Sequence, residues 1–118
     1  MTSSPSTLPY QSLSVEELVT WLADPNAALQ LVDVREPAEL ALAQLPEFLN
    51  LPLSQFNQWS DVIQQHLATD RPTVVMCHHG VRSAQMCHWL SQQGFSQLYN
   101  LTGGIDAYAL IDSNIPRY

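Results

Sequence analysis

The segment Cys77-His78-His79-Gly80-Val81-Arg82-Ser83 sets a thiol, two imidazoles, a glycine, an arginine and a hydroxyl side by side. The chain holds two cysteines and four arginines and has no lysine, so one of each around a short loop concentrates scarce chemistry. The apolar run Val74-Val75-Met76 reads as a strand that delivers Cys77 to its end, and a helical pattern opens at Arg82. In an open α/β sheet, ligands gather at the carboxyl ends of strands, where helix N-termini converge. Backbone N–H groups of a loop in that place point inward and form a concavity for an anion. Gly80 permits the backbone conformations that such a ring requires. A cysteine held there is stabilised as thiolate by the helix terminus and by nearby cations, so its pKa falls and it becomes a nucleophile. Arg82 either neutralises the anion or locks the loop through hydrogen bonds, and the spacing leaves both roles open. The bland alternative is a buried cysteine ending a strand, because cysteine is among the most buried residue types. The strand, Gly80, Arg82, Ser83 and the helix, met in this order, favour an anion site.

The elements that must position this loop alternate along the chain. Residues 1–12 are rich in Ser, Thr and Pro and read as a loose arm leading into a short strand near Tyr10 to Leu13, with a single domain over residues 13–118. Ser14-Val15-Glu16-Glu17 has the spacing of a capping box, and Leu18, Trp21 and Leu22 follow at helical intervals. Leu29 to Val34 reads as a buried strand. Pro37 suits a first helical position, and Pro37 to Ala43 has room for two turns. A weak strand is expected at Phe48 to Leu51. Phe56, Trp59, Ile63 and Leu67 share one face of a helix, or of two linked short ones, within Ser54 to Leu67. Thr73 to Met76 is the most convincing strand, Arg82 to Gln93 is helical, and Gly94 is placed as its left-handed cap. A strand at Gln97 to Leu101, a Gly103-Gly104 turn and a helix at Ile105 to Ile111 complete the pattern. Such alternation predicts an α/β fold with a parallel sheet covered on both faces.

Composition narrows the function. At 118 residues, 46% of them hydrophobic, the chain reads as a globular domain that buries roughly 65% of its unfolded surface without a staple. Eleven acids give a net charge of −7, which argues against nucleic acid and against an anionic membrane surface. The polar N-terminus lacks the pattern of a signal peptide, and two cysteines suggest free thiols. The expected compartment is the cytoplasm.

Cys77-His78-His79-Gly80-Val81-Arg82-Ser83 resembles the active loop of the rhodanese family, whose usual pattern is Cys-x-x-Gly-x-Arg-Ser. Leu31-Val32-Asp33-Val34-Arg35-Glu36-Pro37 resembles that family's Asp-Val-Arg-Glu segment. Gly94-Phe95 and Leu98-Tyr99-Asn100-Leu101-Thr102-Gly103-Gly104-Ile105 resemble its C-terminal signature, and the likeness runs from Ser14 to Pro116. The resemblance implies a rhodanese-like fold with a five-stranded parallel sheet and a sulfurtransferase that needs no cofactor and no metal. Cys77 would take the outer sulfur of thiosulfate or another persulfide donor and pass it to a thiophilic acceptor in a ping-pong cycle. Cys77 and Arg82 are then the catalytic residues, and His78, His79, Gly80, Val81 and Ser83 form the loop that binds the persulfide. By family likeness Asp33 and Arg35 are structural supports that brace the neighbouring loop. Ser83 either bonds within the loop or caps the helix, and the cap is the favoured reading. Related phosphatases carry five residues between cysteine and arginine; here four intervene, a ring suited to one sulfur atom and not to phosphate.

Departures from the family pattern sharpen the expectations. Ala43-Gln44-Leu45-Pro46-Glu47-Phe48 stands where Gly-His-Ile-Pro-Gly-Ala is common, which puts the local turn in doubt, and Tyr108 stands where tryptophan is frequent. His78 and His79 replace the permanent cations frequent in thiosulfate-using members, so thiosulfate is expected to be a mediocre donor and a protein or small-molecule persulfide the cellular one. The alternative is that both histidines are solvent-facing fillers. Zinc is disfavoured, because adjacent side chains diverge and only Cys77 with His79 has ligand spacing. Cys87 reads as a small buried filler, with a resolving thiol as the alternative. Trp59, Trp89 and His66 read as structural. Partners are small-molecule donors and acceptors or a protein thiol, and the chain is expected to be a monomer. A different class of function, a non-catalytic interaction module on the same fold, has no need of Cys77, Gly80 and Arg82 together.

Overall fold

The computed structural model describes residues 8–118, so most of the arm expected over residues 1–12 lies outside the described residues. Within them, five parallel strands form one sheet in the order β1-β5-β4-β2-β3. The strands are β1 (Gln11–Leu13), β2 (Gln30–Asp33), β3 (Leu49–Asn50), β4 (Thr73–Met76) and β5 (Leu98–Leu101). β1 stands where a short strand is expected near Tyr10 to Leu13, and it pairs Gln11, Ser12 and Leu13 with Tyr99, Asn100 and Leu101. The helices are α1 (Val15–Leu22), α2 (Pro37–Leu40), α3 (Phe56–Trp59), α4 (Ile63–His66), α5 (Val81–Gln92) and α6 (Gly104–Ile111).

Central strands buried on both faces read as continuous apolar runs, and β4 is such a strand. Its side chains alternate: Val75 and Cys77 pack with Met86, Cys87 and Leu90 of α5 and with Trp59 and Ile63. Val74 and Met76 pack on the opposite face with Val15 and Leu18 of α1 and Ile105 of α6. The period of two thus hands Cys77 to the α5 side of the sheet.

Local signals fix several boundaries. Ser14 caps α1 by accepting from the Glu17 N–H at 3.0 Å, while Glu17 accepts from the Ser14 N–H at 2.8 Å. Gly94 follows α5 with φ +94°, the left-handed geometry expected of its cap. Of the two alternatives for Ser54 to Leu67 the structure takes the linked short helices, α3 and α4, with 3₁₀ turns at Leu53–Gln55 and Ser60–Val62. These turns let Phe56, Trp59, Ile63 and Leu67 all reach the core, and Trp59 Nε1 donates to the Pro52 carbonyl at 2.9 Å. Phe56, Trp59 and Trp89 meet edge to face, the packing that aromatic quadrupoles prefer. The atypical segment before β3 still turns, with the Phe48 N–H donating to the Leu45 carbonyl at 3.1 Å and Leu45 and Phe48 buried. Tyr108 packs partly buried against the α1–α6 face.

The strand order reverses between β2 and β4, since the chain moves outward from β2 to β3 and returns through β4 to β5. A crevice opens at the carboxyl ends of such a pair. Asp33 at the end of β2 is in register with Met76 at the end of β4, so the segments after both strands face each other there.

Candidate active site

The loop of residues 77–80 joins β4 to α5. Its peptide planes are set from behind by α6: the Ile105 N–H donates to the Cys77 carbonyl at 2.9 Å and the Asp106 N–H to the His78 carbonyl at 3.1 Å. With the His78 carbonyl turned toward α6, the N–H on the other edge of the same trans peptide, that of His79, faces the sulfur. Gly104 makes this approach possible. It has φ +61°, and a Cβ there would lie 2.3 Å from the Cys77 oxygen and 2.5 Å from the His78 oxygen. Gly80, with φ +105°, is the N-cap of α5.

Cys77 is 1% exposed. Its Sγ accepts from the Gly80 N–H at 3.0 Å and lies 3.3 Å from Ser83 Oγ. Burial pushes the thiol up, but hydrogen bonds from the Ser83 hydroxyl and from the Ser83, Gly80 and His79 amides outweigh it and hold the pKa below the ordinary cysteine value. Amides converge on the sulfur as the sequence predicts. The sulfur is nonetheless sheltered, packed between the α5 face and the loop.

Ser83 does not cap α5. It stands in the third helical position, fully buried, with its hydroxyl between Cys77 Sγ and Asn100 Oδ1, so it belongs to the loop's internal bonding. The cap falls to Gly80 because its positive φ turns the chain into the helix one residue earlier than Arg82.

Arg82 takes the locking role. Its guanidinium grips Glu39 of α2 with both terminal nitrogens, Nη1–Oε2 at 2.7 Å and Nη2–Oε1 at 2.9 Å. Hydrogen bonds from Arg82 hold the Glu39 carboxyl down at about 2 in spite of partial burial. The fork-on-fork geometry is the strong form of this pair. Arg82 also feels the charge of Cys77.

Asp33 and Arg35 form a buried ion pair. Arg35 Nε lies 3.0 and 3.1 Å from the two Asp33 oxygens and Nη2 lies 2.8 Å from Oδ2. Arg35 Nη1 donates to Tyr118 Oη at 2.9 Å, and Tyr118 Oη donates to Glu39 Oε1 at 3.0 Å. One chain of bonds therefore runs Asp33, Arg35, Tyr118, Glu39, Arg82 and joins the ends of β2 and β4.

His78 is no solvent-facing filler. Its ring stacks on Tyr118 at 3.9 Å with 6° between planes, and its Nε2 is buried without a hydrogen-bond partner. His79 is exposed, with Nδ1 3.8 Å from Asp106 Oδ2, and Val81 faces solvent. Asp106 is itself held by Arg117 at 2.9 and 3.1 Å. Cys87 is fully buried on α5, where burial first and the Cys77 charge second push its thiol up to about 12. Both cysteines are free.

Three functional residues escape the sequence reading. Glu39 carries a faint signal, sitting in the first turn after Glu36-Pro37. Asn100 lies inside the C-terminal signature but without a signal of its role, and Tyr118 has none.

The comparisons with known proteins agree with one another. The rhodanese-like domain family matches residues 14–110. A rhodanese-like/PpiC domain-containing protein 12, chloroplastic, from Arabidopsis thaliana is 45% identical over 113 residues, which cover 93% of this chain and 38% of that protein. This chain thus spans well under half of that relative's length. A protein named sulfurtransferase from Allochromatium vinosum is 40% identical over 94 residues, covering 80% of this chain and 83% of its own. Among solved structures, a rhodanese-related protein of Thermoplasma volcanium superposes with a TM-score of 0.70 at 30% identity, over 91% of this chain and 96% of that one.

Proposed function

Because the chain belongs to the rhodanese-like domain family, we propose that it is a sulfurtransferase that moves sulfane sulfur through a persulfide on Cys77. The observation that carries this reading is the Gly80 N–H at 3.0 Å from Sγ, within a loop whose amides depress the thiol's pKa. In the first half-reaction the Cys77 thiolate attacks the outer sulfur of the donor. A new S–S bond forms, the donor's S–S bond breaks, and its electron pair leaves with sulfite or a thiolate. The charge then sits on the terminal sulfur, where main-chain amides are positioned to hold it. In the second half-reaction a thiophilic acceptor takes that terminal sulfur, and Cys77 leaves as thiolate. No cofactor enters either step.

The charge pattern bears on the donor. Arg82 is matched by Glu39, Arg117 by Asp106 and Arg35 by Asp33, so each arginine near the loop is engaged by a carboxylate. A dianion such as thiosulfate finds no unmatched guanidinium there, which favours a persulfide carried by an organic or protein thiol as the working donor. A cytoplasmic monomer is part of this proposal, supported by two free cysteines, which persist in a reducing compartment.

Incubation with thiosulfate, and separately with an organic persulfide, followed by intact mass measurement tests the proposal. The expected result is gain of one sulfur, faster from the persulfide and absent in Cys77→Ser. Binding of either donor without a mass increase overturns it in favour of a non-catalytic module.

A further inference from the structure

We propose that Asn100 is a positioning residue for the nucleophile, whose side-chain amide fixes two of the groups that reach the Cys77 sulfur and competes with that sulfur for the single proton of the Ser83 hydroxyl. The significance of this rests on Cys77 acting as the nucleophile; the geometry does not.

Asn100 lies on β5, beside β4 and in register with Val75. Its Nδ2 donates to the Gly80 carbonyl at 3.0 Å, and its Oδ1 accepts from the Ser83 hydroxyl. A carbonyl can only accept, so the atom facing Gly80 must be the NH₂, and the amide's orientation follows from chemistry. Gly80 in turn donates its N–H to Cys77 Sγ at 3.0 Å, and Ser83 Oγ lies 3.3 Å from the same sulfur. With the thiol protonated, the bonds close into a ring with one sense. The S–H donates to Ser83, Ser83 to Asn100, Asn100 to Gly80, and Gly80 back to the sulfur. The Asn100 amide accepts at one end and donates at the other, so those two bonds polarise each other.

Ser83 has one proton to give. When Cys77 becomes a thiolate, a hydroxyl that turns to the sulfur strips Asn100 Oδ1 of its donor in a part-buried site. A hydroxyl that stays with Asn100 leaves the anion to the amides alone. Either arrangement sets Asn100 against the bare thiolate. In the persulfide the charge moves one atom outward and Sγ carries neither proton nor charge, so Ser83 returns to Asn100 at no cost. The competition therefore falls on the thiolate and is lifted by sulfur loading, which favours the loaded form.

The titratable and charged groups around the sulfur are Arg82 and Cys87 from α5, His78 and His79 from the loop, and Asp106 from α6. Glu39 bonds to Arg82, Tyr118 bonds to Glu39 and stacks on His78, and the Asp33–Arg35 pair of the β2 end joins this chain through Tyr118. Asn100's side-chain bonds go to Ser83 and Gly80 and to none of these, so its replacement reads the ring.

The test is the pH profile of Cys77 alkylation by iodoacetamide, followed by peptide mass, in the unmodified chain, Asn100→Ala, Ser83→Ala and the double variant. In Asn100→Ala the midpoint is expected to fall by about one pH unit, a roughly tenfold gain in thiolate fraction at pH values well below both midpoints. With Ser83→Ala already present, the asparagine substitution is expected not to lower the midpoint, because only its hold on the Gly80 carbonyl is left to lose. A midpoint that stays or rises in Asn100→Ala, or that falls equally without the hydroxyl, overturns the proposal. Asn100→Val, suited to a strand, gives the same reading should the alanine variant fail to fold. No sulfur donor enters the assay, so its result stands whether or not the chain loads sulfur.

Discussion

Replacing Glu39 by glutamine should convert the Glu39–Arg82 lock into a measurable loss of pH-dependent stability. The carboxyl is held at about 2 instead of the ordinary 4.5, so the folded chain binds that proton roughly 300-fold more weakly than the unfolded one. Taken at face value this is worth about 3 kcal/mol at neutral pH. The Arg82 side chain is 34% exposed, so solvent screens the pair and about 1–2 kcal/mol is the expected share. Because the folded pKa is depressed, the stabilisation is complete above about pH 4.5 and fades as pH falls through about 2. By the same linkage about two fifths of it should be gone at pH 3.5. Urea titrations of the parent and Glu39→Gln at pH 7 and pH 3.5 supply both numbers. The variant should be about 1–2 kcal/mol less stable at pH 7, with the gap visibly narrowed at pH 3.5. A gap of equal size at the two pH values, or none at pH 7, would refute the assignment of Glu39 as an ionised clamp on α5.

Gly104→Ala puts a Cβ 2.3 Å from the Cys77 oxygen at φ +61°, so a stability loss of about 2–4 kcal/mol and loss of sulfur loading are expected. Urea unfolding and intact mass check this, and a variant of parental stability would show that α6 does not press on the loop. Cys87, its thiol pushed up to about 12, should resist iodoacetamide at pH 8 while Cys77 reacts, and should label only on unfolding. Peptide mass decides, and comparable rates at the two positions would contradict its burial. Tyr118→Phe removes the hydroxyl shared by Arg35 and Glu39 and should cost about 1 kcal/mol in urea unfolding, whereas no change would mean that the phenol adds nothing to the brace.

What was legible in the sequence is what nearby residues decide among themselves. The Ser14–Glu17 capping box, the left-handed Gly94 and the buried run of β4 each follow from spacing within a few residues, and each stands where expected. The Asp33–Arg35 brace spans only two residues, so its motif was visible too. For Ser83 the cap is the favoured of two readings because a serine near a helix start often has that task, whereas its partner, Asn100, lies 17 residues away on β5. Arg82 was ambiguous for the same reason, with Glu39 43 residues before it.

The sequence by itself determined the α/β alternation, the cysteine proposed as nucleophile and the membership of the loop around it. The tertiary structure alone decided what each loop group faces: Arg82 toward Glu39, Ser83 toward Asn100, and the Cys77 and His78 carbonyls toward α6. A parallel sheet brings the carboxyl ends of β2, β4 and β5 side by side through crossovers of many residues, and their register is fixed by burial on both faces. Local spacing can name the groups that meet at that edge, but their pairing is set only when the strands have closed.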